Sequence, residues 1–275
     1  MTGAPATDGL ILADKPAGLS SHGMVARARR ALGTRRIGHA GTLDPFATGL
    51  LVLLVGRATR TQRFVMELPK TYEVLARFGA TSTTGDTEGE ITETGRLPHE
   101  LALPLGAIRQ RPPAHSAVKL DGERAYLRAR RGEHVETHER TVHLYEFKQL
   151  WREGDRAAFR VVCSSGTYVR SLIADLGDAY CLQLRRTAIG PFAACGGWPG
   201  EGAPSVLGLA EGLAAFMPTV QLGAEDAERA AHGVAVFASG DRAALLLDPA
   251  GAAVAVAEPR PDQPGALKPI VGFRG

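Results

Sequence analysis

The chain has 275 residues, room for one large domain and a smaller one at roughly 150 residues per domain. Hydrophobic residues at 44% and charged residues at 22% exclude a mostly disordered chain, and three cysteines without a C-x-x-C pair exclude a disulfide framework and a zinc knuckle. The net charge is only +3, but residues 1–60 hold eight lysines and arginines against three aspartates, the footprint of a docking polyanion, whereas residues 217–275 are slightly acidic.

Met1 to Gly9 lacks a basic start followed by an apolar run, and no apolar run approaches the roughly 20 residues that span a bilayer, so a soluble cytoplasmic protein is expected. Leu10-Ile11-Leu12 reads as a buried strand stopped by Pro16. Ser20 and Ser21 can cap a helix from about His22, with Met24, Val25, Ala28, Ala31 and Leu32 as its apolar stripe, Arg27 and Arg30 on another face, and Gly33 as its stop. Ile37 to Gly49 reads as a Gly- and Thr-rich loop, followed by the apolar Leu50–Val55. Tyr72, Val74, Ala76 and Phe78 alternate as a strand does, Thr81 to Glu90 is a polar turn region, and Ala157–Cys163 is a further strand. After a turn at Ser164-Ser165-Gly166, Val169, Leu172, Ile173 and Leu176 share one helical face. Strands and helices mix without a regular βαβ repeat, which predicts an α+β fold with a mixed, largely antiparallel sheet.

Gly and Pro cluster from Gly196 to Pro204, dividing the chain into residues 1–204 and 205–275. The second part reads as a linker helix from about Ser205 to Phe216, then a small β-rich unit with apolar stretches at Val234–Phe237, Ala244–Leu247 and Ala252–Ala257.

The segment most suggestive of chemistry is Gly38 to Gly49, where three glycines bracket His39 and Asp44 and Pro45 fixes the turn after the carboxylate. An Asp before Pro also serves ordinary turns by satisfying backbone N–H groups. Here a basic helix lies upstream, a histidine five positions before, and an apolar run that would bury the loop's base just after.

Gly38 to Leu50 resembles the signature of the bacterial tRNA pseudouridine synthase B family, the tRNA pseudouridine-55 synthases. The resemblance extends to Leu12-Ala13-Asp14-Lys15-Pro16-Ala17-Gly18-Leu19-Ser20-Ser21, Lys70-Thr71-Tyr72-Glu73-Val74, Pro112 to Lys119 with Gly122 to Tyr126, Ser165 to Arg170, and Leu184-Arg185-Arg186, in order over about residues 9 to 190. Between Asp178 and Leu184 the chain is several residues shorter than the family pattern.

The resemblance implies a pseudouridine-synthase catalytic domain with a small PUA-like RNA-binding domain behind it. It implies isomerisation of the T-loop uridine of tRNA, position 55, by base flipping and aspartate catalysis without guide RNA. Asp44 stands at the position of the family's catalytic aspartate, able to act as nucleophile or general base. Arg170 stands where an arginine pairs with it, Tyr72 where a tyrosine stacks on the target base, Tyr168 and Leu184 where the uracil pocket is lined, and His39 beside the flipped nucleotide. Read without the resemblance, Tyr72 and Leu184 are core residues and Arg170 is a solvated side chain on a first helical turn. The reaction needs no redox step or group carrier, so no cofactor is implied, and no histidine or cysteine set stands at metal-ligand spacing.

Arg27, Arg30, Arg35 and Arg36, with Lys119, Arg124, Arg128, Arg130 and Arg131, are candidates for phosphate contacts that offset the cost of extruding a stacked base. Lys268 and Arg274 are candidates for a modest contact to the tRNA acceptor end. The expected partner is the tRNA T-arm, with no membrane and no obligatory protein partner, and the chain is expected to be a monomer. The alternative is a non-catalytic tRNA-binding or folding chaperone using the same surface. A guide-RNA-dependent synthase is disfavoured because the compact chain lacks basic extensions for a ribonucleoprotein partner.

Overall fold

The computed structural model describes residues 8–273 except 114–115, 117–118, 121–122, 125–127, 129–130, 132, 134, 136, 195 and 239. Its first half runs β1 (Gly9–Lys15), α1 (Ser21–Leu32), β2 (Ile37–His39), β3 (Thr48–Val55), a 3-10 turn (Gly56–Thr61), α2 (Gln62–Glu67), β4 (Lys70–Phe78), β5 (Ala80–Ser82), β6 (Ile91–Glu93), β7 (Gly106–Gln110), β8 (Lys119–Leu120) and β9 (Glu123–Arg124). Then follow β10 (Arg140–Glu153), β11 (Arg156–Cys163), α3 (Val169–Ala174), β12 (Ala179–Ile189), β13 (Phe192–Ala193), β14 (Leu207–Gly208) and α4 (Leu209–Ala214). The C-terminal part holds β15 (Thr219–Gln221), α5 (Ala224–Ala231), β16 (Val236–Phe237), β17 (Ala244–Leu247), β18 (Ala253–Pro259) and β19 (Ala266–Gly272). None of the described helices is long and apolar enough to cross a membrane.

Ten strands form one sheet in the order β14-β1-β3-β12-β4-β11-β10-β7, with β2 on β3 and β13 on β12. Its pairings are antiparallel except for a short parallel contact, Thr48 and Gly49 of β3 against Arg185 and Arg186 of β12. The expected α+β class with a mixed, largely antiparallel sheet is the one observed. The apolar run in β3 is buried along nearly its whole length because both faces of that strand are covered. Leu51, Leu53 and Val55 pack on Met24, Val25 and Ala28 of α1, while Leu50, Val52 and Leu54 meet Val65, Ile189 and Phe192. Ser20 caps α1 by accepting from Gly23 N–H at 3.0 Å, and Gly33 ends it in the left-handed conformation. Ala31, read as part of the apolar stripe, faces solvent.

On the other side of the sheet centre, β4 alternates as expected. Tyr72, Val74, Ala76 and Phe78 join Ala157, Phe159, Val161 and Cys163 of β11 in a core capped by Leu172 and Ile173 of α3. Two long strands, β10 and β12, escape the sequence reading. Register shifts interrupt the alternation of β10, and its Tyr145, Leu150 and Trp151 point outward, while β12 buries Arg186 where a period-two reading expects an apolar residue.

Two segments correct the sequence reading. Ile37–His39 is a strand and not loop, because it pairs antiparallel with Leu53 to Val55. The helix expected from Ser205 to Phe216 is confined to Leu209–Ala214, because Leu207 and Gly208 pair with Leu10 and Gly9 and extend the main sheet.

A separate five-stranded sheet, order β15-β17-β18-β19-β16, carries the C-terminal part. Leu245, Val256 and Phe273 of this part form one apolar cluster with Leu213 and Met217, against which Phe64 and Phe216 pack. The arginines of the turn after β3 and of α2 add polar contacts: Arg57 donates to Phe273 O, Arg60 to Gly272 O at 2.7 Å, and Arg63 of α2 pairs with Glu258 at 2.7 Å.

Candidate active site

Asp44 sits in the loop between β2 and β3, and that loop is held from four directions. Ala40 N–H donates to Val52 O at 2.9 Å. Ser21 Oγ accepts from Leu43 N–H at 2.9 Å and donates to Leu43 O at 3.1 Å, tying the loop to the start of α1. Gly18 N–H and Lys15 Nζ both donate to Pro45 O, at 2.9 and 3.1 Å. Arg186 donates through Nη2 to Gly41 O at 3.0 Å and through Nε to Leu50 O at 2.7 Å. The backbone around Asp44 therefore has little freedom, and its carboxylate stands pre-positioned.

Gly49 is what lets Arg186 come so close. It has φ +102°, and a Cβ there would lie 2.2 Å from Arg186 O and 2.8 Å from Arg186 N. Gly49→Ala is expected to destabilise the protein by about 3 kcal/mol or more, since it combines a left-handed backbone penalty with backbone overlap. A urea midpoint equal to wild type would contradict this packing.

The carboxylate faces a cleft of about 480 Å³ walled by the Gly41–Asp44 loop, the Ser164–Arg170 turn, and side chains of β4 and β12. Arg170 Nε lies 2.9 Å from Asp44 Oδ2 and its Nη1 lies 3.1 Å from Asp86 Oδ2. The same Nη1 donates to Thr84 O at 2.6 Å. Arg170 and Asp86 are 3% and 2% exposed, whereas the Asp44 side chain keeps 34% of its surface open. One buried guanidinium thus bridges a buried carboxylate that fixes it and a cleft-facing carboxylate that it orients. Burial pushes the Asp44 carboxyl above the ordinary aspartate range; Arg170 pulls it back and Asp86 adds to the rise.

Tyr72 lines the cleft from β4 and is 9% exposed. Burial raises its phenol, against the pull of the Arg186 guanidinium beside it. Leu184 lies opposite Val74 on the neighbouring strand and also lines the cleft, as does Tyr168 at the end of the turn after β11. Five of the expected residues, Asp44, Tyr72, Tyr168, Arg170 and Leu184, therefore converge on one cavity.

His39 does not line that cavity. It sits on β2 with its ring edge-on to His22, centroids 5.3 Å apart. Arg30, Arg35 and Arg36 are exposed on or just beyond α1, and Arg27 is half-buried against Gly200. Arg128 pairs with Glu133 at 2.9 Å, and Arg131 bridges Glu123 and Glu133. Lys119 and Arg124 lie on β8 and β9, and their side chains, like Arg130, Arg274 and much of the Pro112 to Tyr126 motif, fall outside the described residues.

Sequence reasoning missed several charged residues around the cleft. Lys15, Lys70 and Arg186 lay inside quoted motifs but, as charges, were not expected to be buried; Asp86 was hidden in a polar turn. Lys15 is fully buried, donating also to Leu19 O at 2.6 Å and Pro16 O at 2.9 Å, and Lys70 donates to Met66 O and Leu68 O. Burial lowers each ammonium to about 8, with Asp44 opposing the shift at Lys15 and Arg186 adding to it at Lys70. An unfolded lysine holds its proton to about 10.5, so above pH 8 the unfolded chain binds more protons and stability rises with pH. The Cys163 thiol, pushed up to about 11 by burial, opposes this from about pH 9. The urea midpoint is expected to rise between about pH 8 and 9 and to rise about half as much in Lys70→Met. A flat wild-type profile would contradict the buried-ammonium picture.

Residues 29–169 match the N-terminal domain of the TruB family of pseudouridylate synthases. The tRNA pseudouridine synthase B of Thermobifida fusca is 43% identical over 299 residues, covering 98% of this chain and 99% of that protein. That of Corynebacterium aurimucosum is 39% identical, covering 93% and 94%. Among solved structures, a chain of a Cbf5-Nop10-Gar1 complex is similar with a TM-score of 0.68 and 25% identity, covering 97% of this chain and 84% of that one. The ten-stranded sheet with its cleft beside β4 and β12 is the pseudouridine synthase fold, and the five-stranded sheet is its PUA-like companion. The chain belongs to the TruB family of pseudouridylate synthases.

Proposed function

We propose that the protein isomerises the T-loop uridine of tRNA, position 55, to pseudouridine, without guide RNA or cofactor. The observation that carries this reading is the cleft-facing Asp44 carboxylate bridged to the buried Arg170–Asp86 pair. The relatives' name, tRNA pseudouridine synthase B, supports tRNA as the substrate class.

In this reading the C1′–N1 bond breaks, the uracil turns in the cleft, C5 bonds to C1′, the C5 proton leaves to solvent, and N1 takes up a proton in its place. Asp44 acts on the nucleoside as nucleophile or general base, ionised and aimed by Arg170. A partly open carboxylate suits this role, since a fully buried one could not meet the sugar. Tyr72 stacks against the extruded base from β4, Tyr168 and Leu184 wall the uracil, and His39 contacts the nucleotide from outside the cavity. Arg27, Arg30, Arg35 and Arg36, with Lys119, Arg124 and Arg128, contact the phosphate backbone and offset an extrusion cost of a few kcal/mol. Residues 1–204 form the catalytic domain, and 205–275 the linker and RNA-binding domain. The enzyme works as a cytoplasmic monomer without an obligatory protein partner.

The test uses unmodified tRNA transcribed with uridine tritiated at C5 and no guide RNA. Stoichiometric tritium release from one position per molecule supports the reading. Tight binding without release contradicts it and leaves the chaperone.

A further inference from the structure

The turn from Ser164 to Tyr168 carries one wall of the cleft; Ser164 N–H donates to His143 O at 2.8 Å at its start and Leu172 N–H to Tyr168 O at 3.2 Å at its end, and a side chain from β7 adds a further hold on Tyr168. Gln110, the last residue of β7, is 2% exposed and spends its whole amide on Tyr168. Its Oε1 accepts from Tyr168 N–H at 2.8 Å and its Nε2 donates to Tyr168 O at 2.9 Å. Directly across the ladder from Gln110 stands Arg140, whose guanidinium lies 5.7 Å from the Tyr168 ring centroid. One cross-strand pair thus holds both the backbone and the ring of a cleft residue. Ser171 Oγ adds a bond to Arg111 O at 3.2 Å, just past Gln110.

We infer that Gln110 is a positioning residue for catalysis, acting through Tyr168. Of the side chains of this length, only glutamine offers a donor and an acceptor in the spacing of a peptide group. Glutamate would keep the acceptor but set a second acceptor against Tyr168 O, and methionine would fill the space with neither. The inference rests on the proposed function and deepens it: the Tyr168 ring is held ready before RNA arrives, so losing the clamp lowers the rate of isomerisation more than affinity.

The experiment measures kcat and KM on a T-arm hairpin for wild type, Gln110→Met, Gln110→Glu and Gln110→Asn, alone and in a Tyr168→Ala background. Gln110→Met and Gln110→Glu are expected to lose kcat by about tenfold or more with KM within about threefold. Gln110→Asn, which keeps donor and acceptor one methylene short, should recover at least about threefold over Gln110→Met; if Gln110→Met fails to fold, Gln110→Glu and Gln110→Asn carry the comparison with wild type. In the Tyr168→Ala background, the further cost of losing the amide should fall below about threefold, because the two changes remove one function. Near-normal kcat in the folded variants, a loss confined to KM, or fully additive losses would overturn the inference while leaving the wild-type reaction intact. Failure of wild type to convert the hairpin would overturn the proposed function, and the inference with it.

Discussion

Asp44→Asn is expected to abolish isomerisation while leaving tRNA affinity within about tenfold, or about 1.4 kcal/mol. Asparagine keeps the size of the side chain and an oxygen that can accept from Arg170 Nε, which lies 2.9 Å from Asp44 Oδ2. What it removes is the charge and the ability to attack carbon or take a proton. Folding should not be the cause of the loss. Burial raises the Asp44 carboxyl, so its protonated form contributes stability at low pH that is lost as pH rises through the raised value. A neutral side chain at pH 7 is therefore tolerated at least as well as the ionised one. The measurements are turnover on unmodified tRNA, binding by filter retention, and the urea midpoint. Retention of more than a few per cent of turnover would mean that another group carries the chemistry.

Arg170→Lys is expected to fail nearly as badly, although the charge is kept. The guanidinium meets Asp44 with Nε and meets Asp86 and Thr84 O with Nη1. A single ammonium cannot stand at both places, and one that stays with the buried Asp86 leaves Asp44 without its donor. Asp86 is otherwise held by Thr84 Oγ1, which donates at 2.6 Å, and by Glu88 N–H at 3.0 Å, so its turn should persist. Losing one oriented donor at a reacting group costs about 100-fold or more in kcat. Breaking the buried pair outright, as in Arg170→Met, should also cost about 3 kcal/mol or more of stability. Near-normal activity in Arg170→Lys would show that charge alone suffices and that the planar fork is dispensable.

Local signals in the sequence were strong where one segment determines its own surroundings. The run Leu50–Val55 announces burial, though only the fold makes it a strand covered on both faces, and Tyr72 to Phe78 names a strand with one buried face. Ser20 and Gly33 mark both ends of α1. The site was legible through its motifs, which placed Asp44, Tyr72, Tyr168, Arg170 and Leu184 in one function before the fold placed them in one cleft. What stayed hidden depends on contacts between distant segments. Nothing near Asp86 announces that it holds Arg170, and nothing near Gln110 announces Tyr168. Lys15 and Arg186 look like surface charges until the folded loops and β3 supply the carbonyls that let them be buried. The Ser205–Phe216 reading failed for a related reason: Leu207 and Gly208 become a strand only because the edge of β1 is free to pair with them.

The most direct measurement is nucleoside chromatography with mass detection of a T-arm hairpin after incubation with the purified protein alone, the isomer being separated by retention because its mass equals that of uridine. The account predicts conversion of the T-loop uridine to pseudouridine by wild type and none by Asp44→Asn at matched binding. Unchanged uridine with the wild-type protein, or equal conversion by Asp44→Asn, would contradict it.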